Sequence, residues 1–254
     1  MSKVRTLAFL TAAVAAIATQ VSVQAASIGF KFAAEQSAIT TGNTVVSATI
    51  TDTATAGFVP QAHWNNFTGG TGTSTAALKQ SDGASLSGMT TAWNYGWTYK
   101  SDWTGGFYGL DGDTSLHAGY VDGGGSITIT GIPYSSYTVY VYSGPDGGGS
   151  RVGSVALSSS TGTVDSTKYF FNTGWSAGVY HQATATSLAA ATSSTNYEMF
   201  TGNSASSFTI TQAKADGNNS GIFGIQIVDA VPEPATASLM GMGVAGLLLR
   251  RRKA

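Results

Sequence analysis

Between residues 26 and 230, apolar and polar positions alternate over short runs instead of recurring every three or four residues. Ser126-Ile127-Thr128-Ile129-Thr130 and Ser207-Phe208-Thr209-Ile210-Thr211 have the period of two that marks a strand with one buried face. Tyr137 to Tyr142 is β-branched or aromatic on both faces, as an interior strand requires, and Ile222 to Val228 reads as a closing strand. Thr44 to Thr51 is a further candidate strand. Turn residues punctuate these runs at Gly131-Ile132-Pro133 and from Gly144 to Gly149. Thr68 to Ala76, Ser158 to Thr167 and Thr184 to Thr195 are low-complexity Ser/Thr/Gly/Ala stretches that read as loops or frayed edges. Short strands without intervening helical periods predict an all-β fold, a β-sandwich over residues 26–230.

The two ends carry a different pattern. At the start, Lys3 and Arg5 precede an apolar stretch from Leu7 to Ala18, followed by the small-residue site Val23-Gln24-Ala25. Residues 1–25 therefore read as a signal peptide, with an uncleaved anchor helix as the alternative. At the other end, Val231-Pro232-Glu233-Pro234 leads into an apolar run, Ala235 to Leu249, and then Arg250-Arg251-Arg252-Lys253. As a helix at about 1.5 Å per residue this run spans roughly 22 Å, short of a ~30 Å hydrocarbon core. Local thinning and snorkelling arginines let such a segment cross. Its basic cluster belongs in the cytoplasm, which leaves the body outside, as the amino-terminal signal also demands. Gly241 to Gly246 reproduces a G-x-G-x-x-G pattern but has no preceding strand, so it is not read as a nucleotide loop.

A Pro-Glu-Pro motif, a short apolar helix and a terminal arginine cluster, in that order, resemble the PEP-CTERM sorting signal of Gram-negative bacteria. The resemblance covers Pro232 to Ala254. It implies recognition and cleavage by an exosortase-type membrane enzyme. Pro232, Glu233 and Pro234 would be the sorting motif, and Arg250, Arg251 and Arg252 the stop-transfer cluster. It also implies a precursor anchored in the inner membrane through residues 231–254, then delivery to the cell surface or extracellular matrix, in association with exopolysaccharide. An ordinary single-span anchor with a structural body is the competing reading. The two prolines fix torsions and withhold hydrogen bonds, so the motif should be extended, as a protease needs. Gly224 to Val228, Pro60 to Asn66 and the Gly131-to-Tyr142 hairpin resemble the exported jelly-roll or galactose-binding-like modules common in proteins with such tails.

Composition narrows the function. The formal net charge of −1 hides a body of residues 26–231 with 6 basic and 12 acidic side chains, so 6 − 12 = −6. Such a body repels a phosphate backbone, and no nucleic-acid partner is expected. The absence of cysteine removes disulfides, thiolate catalysis and cysteine-rich zinc sites. His63, His117 and His181 form no zinc-protease motif, and Gly83-Ala84-Ser85-Leu86-Ser87 fails as a nucleophile elbow at its last position. No pair of acids suggests glycoside hydrolysis. The expectation is a non-enzymatic envelope or matrix protein that binds polysaccharide; a secreted polysaccharide-active enzyme is the alternative.

Candidate binding chemistry lies in the rings. Trp93, Tyr95, Trp97 and Tyr99 recur at every second position, so a regular strand puts all four on one face, as core or as a platform for sugar rings. Trp103 extends this cluster into a Gly-rich loop, with Phe107 and Tyr108 beyond, and Trp64 with Asn65 and Asn66 offers stacking next to a hydrogen-bonding amide, with core or turn use as the more ordinary explanation. No cofactor is expected apart from calcium, for which Asp111 and Asp113, with Asp122 beyond, are candidate ligands; ordinary turn chemistry explains the same residues.

Overall fold

The computed structural model describes residues 25–39, 44–74, 76–101, 107, 111–145, 150–159, 167–172 and 178–230. The signal segment to residue 24, Trp103, and residues 231–254 with the Pro-Glu-Pro motif and arginine cluster lie outside the described residues. The strands are β1 (Ser27–Lys31), β2 (Ser37–Ile39), β3 (Val45–Ser47), β4 (Asn65–Asn66), β5 (Thr71–Thr73), β6 (Leu78–Lys79), β7 (Ser85–Leu86) and β8 (Thr90–Lys100). They continue as β9 (Gly119–Thr130), β10 (Tyr137–Pro145), β11 (Arg151–Ser159), β12 (Lys168–Asn172), β13 (Tyr197–Asn203), β14 (Ser207–Lys214) and β15 (Ser220–Asp229). A six-residue helix, α1 (Asp111–Leu116), precedes β9, and a 3₁₀ turn covers Leu188–Ala190.

Eleven strands form one sheet in the order β12-β11-β14-β9-β15-β1-β4, with β10 and β13 continuing from β15, and β8 and β5 from β9. The short pairs β2-β3 and β6-β7 stand apart. All pairings in the large sheet are antiparallel except β1 with β4. The sheet turns over on itself at β9. Gly125–Thr130 of that strand pair with β14, whereas Val121 and Asp122 pair with β15. Its two halves then enclose a common core: Ile127, Ile129, Leu157, Phe208 and Ile210 from one, Ile28, Phe30, Val139, Val141, Ile225 and Ile227 from the other. This is the expected sandwich, its corner made by a strand that serves both layers. Residues 182–185 join the far edges through bridges from Ala185 to Tyr169 on β12 and from Gln182 to Tyr197 on β13.

A second cluster lies on the other face of β10 and β15. Along β10, Tyr137, Val139 and Val141 enter the main core, while Tyr140 and Tyr142 join Trp64, Leu116, Tyr120, Tyr197, Phe223 and Val228. Alternation along a strand makes this division. The segment from Ile50 to Trp64, together with α1, supplies the apolar cover.

The two alternating runs and the candidate strands Tyr137–Tyr142 and Ile222–Val228 fall within β9, β14, β10 and β15. The Thr44–Thr51 candidate shrinks to Val45–Ser47, and β10 extends to Pro145 into the expected turn. The low-complexity stretch Thr68–Ala76 contains a strand, β5, paired to Ala92–Asn94. Gly72 makes this pairing feasible, since a Cβ there would lie 2.4 Å from the Trp93 ring.

Candidate functional site

The aromatic row on β8 is not a single face. Tyr95 stands opposite Gly125 and Trp97 opposite Asp122, so Gly96 alone faces both Gly123 and Gly124. Those two glycines have φ of 101° and 81°, and they make a bulge that re-aims the strand beyond it. Before the bulge, Trp93 and Tyr95 are 6% and 3% exposed and belong to the main core. After it, Tyr99 stands opposite Tyr120 of the second cluster, their ring centroids 6.1 Å apart. Trp97 is 72% exposed and Tyr99 42%. The expectation of one shared face is therefore corrected: two rings are core and two form an exposed pair.

Trp64 and Asn65 serve the fold. The Trp64 indole is 4% exposed and donates from Nε1 to the Gln61 carbonyl at 3.0 Å. It fits because Gly29 has no Cβ, which would otherwise fall 2.6 Å from the ring. Asn65 donates to the carbonyls of Gly29 and Lys79, each at 2.9 Å, and accepts from the Lys79 amide at 2.8 Å. These three bonds clamp β4 to β1 and β6, and the buried indole leaves no ring face for a sugar, so the reading of Trp64 as a stacking contact is corrected and the Asn65 amide is committed chiefly to the fold.

Asp113 likewise faces protein donors. Its Oδ1 accepts from the Gly57 amide at 2.8 Å and from the Tyr180 hydroxyl, while burial raises its carboxyl above the usual range. A carboxylate committed in this way is a poor calcium ligand. Asp111 lies in α1, and nothing is described of its side chain. Among the described residues no group of three His, Asp or Glu side chains is placed to hold a metal ion.

The body contains ionisable groups that alternation does not announce. Lys31 is fully buried, donates to the Gly119 carbonyl and lies 5.9 Å from the Phe223 ring centroid; burial drives its pKa well down. His117 is sealed between Phe107, whose ring stacks at 4.6 Å, and Phe223, and burial lowers its pKa to about 3. Glu198 on β13 stands opposite Val141 and so faces the main core; burial raises it to about 8. Its Oε1 accepts from the Ser143 hydroxyl at 2.6 Å, and Oε2 has no partner among the described residues. Nothing local marks these three: Lys31 and Glu198 are buried by the register of β1 and β13, and His117, in the turn between α1 and β9, by the rings of Phe107 and Phe223.

The remaining functional feature is the tail. Residues 230–253 match the PEP-CTERM protein-sorting motif. The PEP-CTERM motif brings with it an exported protein, sorted as a membrane-anchored precursor and processed by exosortase. The match covers the sorting signal and leaves the sandwich unassigned. Comparison with curated proteins and with solved structures found no match. Among the described residues no helix is long and apolar enough to cross a membrane. The last hydrogen-bonded amide of the body is that of Ala230, which donates to the Ser136 carbonyl at 2.9 Å. One residue, Val231, separates it from Pro232.

Proposed function

We propose that the sandwich is a non-enzymatic polysaccharide-binding component of the cell surface or matrix, delivered there by its PEP-CTERM tail. The exposed pair Trp97 and Tyr99 is its sugar-stacking platform. The observation that carries this reading is the 72% exposure of Trp97, a side chain that proteins otherwise bury. A flat ring offered to solvent beside a second ring suits the C–H face of a pyranose, and the glycines at 96, 123 and 124 leave the approach open. A binding role in preference to catalysis is supported by the seclusion of the strongly perturbed Lys31, His117 and Glu198, each 0% exposed. Buried groups of this kind exchange no proton with a surface substrate.

The test is affinity electrophoresis of the mature protein through gels containing the producing organism's exopolysaccharide. Trp97→Ala should abolish most of the retardation, a loss of about tenfold or more in affinity, and Trp97→Phe should restore part of it. Unchanged retardation of a folded Trp97→Ala protein would refute the platform. Release of reducing ends during incubation would refute the non-enzymatic assignment. Exosortase processing predicts a mature form ending near Pro232–Pro234, so an intact mass that still includes Arg250–Lys253 would contradict it.

A further inference from the structure

We propose that the body has a second saccharide site: the groove between the free edges of β4 and β5, which takes an uncharged, polyhydroxylated ligand. The sheet path ends at β4, whose strand neighbour is β1, and the branch from β9 ends at β5, whose strand neighbour is β8. Residues 67–70 connect the two ends and leave a groove of about 400 Å³ between them. That volume lies in the range of small-molecule sites.

The lining specifies the ligand. Its residues are Asn, Thr, Ser, Gly, Ala, Leu, Phe and Trp, with no ionisable side chain among them. A carboxylate or phosphate entering the groove would lose water without gaining a counter-charge, so anions are disfavoured. Hydroxyls both donate and accept, as a sugar requires of its partners. Two of them are already engaged: Thr71 Oγ1 lies 3.2 Å from Asn94 Oδ1 and from the Tyr95 carbonyl, and Ser74 Oγ accepts the Thr91 amide at 2.9 Å. Thr68 and Thr73 are exposed, and among the described residues their hydroxyls engage no protein partner.

The wall behind them is rigid. Trp93 stacks on Phe67 with centroids 4.8 Å apart and an interplanar angle of 27°, and its Nε1 donates to the Gly69 carbonyl at 2.9 Å. Asn65 is fixed by its three hydrogen bonds to Gly29 and Lys79. A preformed wall with two unengaged hydroxyls binds without first losing entropy to ordering. Trp93 and Trp97 stand on opposite sides of the bulge, so the groove and the platform are separate sites, and one body would hold two polysaccharide segments.

The inference shares its ligand class with the proposed function, and the two fail separately. The mature protein, labelled for amide chemical-shift mapping, is titrated at millimolar concentration with neutral tetrasaccharides built from glucose, galactose, mannose or N-acetylglucosamine, and with a uronate tetrasaccharide. At least one neutral sugar should shift the amides of Thr68 and Thr71–Ser74, and the uronate should not. The double replacement Thr68→Val and Thr73→Val, nearly isosteric at exposed positions, should weaken that titration at least tenfold, while Trp97→Ala leaves it intact. Absence of groove shifts with every neutral sugar, equal binding of the uronate, or undiminished binding by the double valine variant would each overturn the site.

Discussion

Replacing Glu198 by glutamine should make the protein more stable at alkaline pH. The carboxyl ionises near its ordinary 4.5 in the unfolded chain but only near 8 in the folded one, because the main core deprives the charge of water. Between those values the unfolded chain has released a proton that the folded chain still holds. Stability attributable to Glu198 is therefore complete below pH 4.5 and falls as pH rises to 8. At about 1.4 kcal/mol per tenfold change in proton affinity, the loss above pH 8 is about 5 kcal/mol. Domains typically have ~5–15 kcal/mol in all, so the parent should be marginal at pH 9. The amide of Glu198→Gln retains an oxygen to accept the bond that Ser143 now gives at 2.6 Å, and it cannot ionise. Urea denaturation of parent and variant at pH 5, 7 and 9 reads the difference directly, since the other titrating groups cancel in the comparison. The pH-dependent part of the gap should be under about 1 kcal/mol at pH 5 and grow to several kcal/mol at pH 9. A gap independent of pH would show that Glu198 ionises normally and that the sandwich interior reaches solvent there.

His117 should impose the opposite limit. Its folded pKa of about 3 lies below the ordinary 6.5, so the stability it governs is lost as pH falls from 6.5 towards 3, and His117→Gln should flatten the acid limb of a thermal-melting profile. Trp64→Ala should cost about 3–5 kcal/mol in urea denaturation through the cavity it leaves, whereas Trp97→Ala should change stability by no more than about 0.5 kcal/mol. Inserting a Gly-Ser spacer between Ala230 and Val231 should speed conversion of precursor to mature form in a pulse-chase experiment, because the hydrogen bond from Ala230 to Ser136 now anchors the chain two residues before Pro232. An unchanged rate would mean that processing does not sense the folded end.

The strands most legible in the sequence were those whose burial depends on their own alternation. Ile127 and Ile129, or Phe208 and Ile210, enter the core because polar neighbours leave them one face to bury. The aromatic row of β8 failed that logic because its geometry is set elsewhere. Two glycines on β9, separated from Trp97 by more than twenty residues, turn the pair Trp97 and Tyr99 away from Trp93 and Tyr95. Trp64 and Asn65 read as a stacking ring beside an amide because the space that receives them belongs to Gly29, on another strand. The groove was hidden for the same reason. A run of Thr, Gly and Ser reads as featureless until β5 pairs with β8 and leaves its other edge open towards β4. The tail needed no tertiary context, since proline, hydropathy and arginine act there through chain order alone.

Strand register also orients the exported body. Asp229 donates its amide to Ala26 at 2.8 Å, and Ser27 stands opposite Val228, so the chain enters and leaves the sandwich side by side. The described body therefore begins and ends at the same end of the sandwich, where the PEP-CTERM motif follows. Trp97 stands opposite Asp122, which stands opposite Gly221, at the start of β15. From Gly221 to Asp229 is eight residues of strand, about 26 Å at ~3.3 Å per residue. A precursor held by its PEP-CTERM tail would thus carry Trp97 and Tyr99 near the end of β15 remote from that tail. The groove lies part-way along, since β4 pairs with Phe30 and Lys31, which stand opposite Ile225 and Gly224. If the two proposed sites bind polysaccharide, cleavage at the tail would pass the retention of the body from the membrane to the polysaccharide.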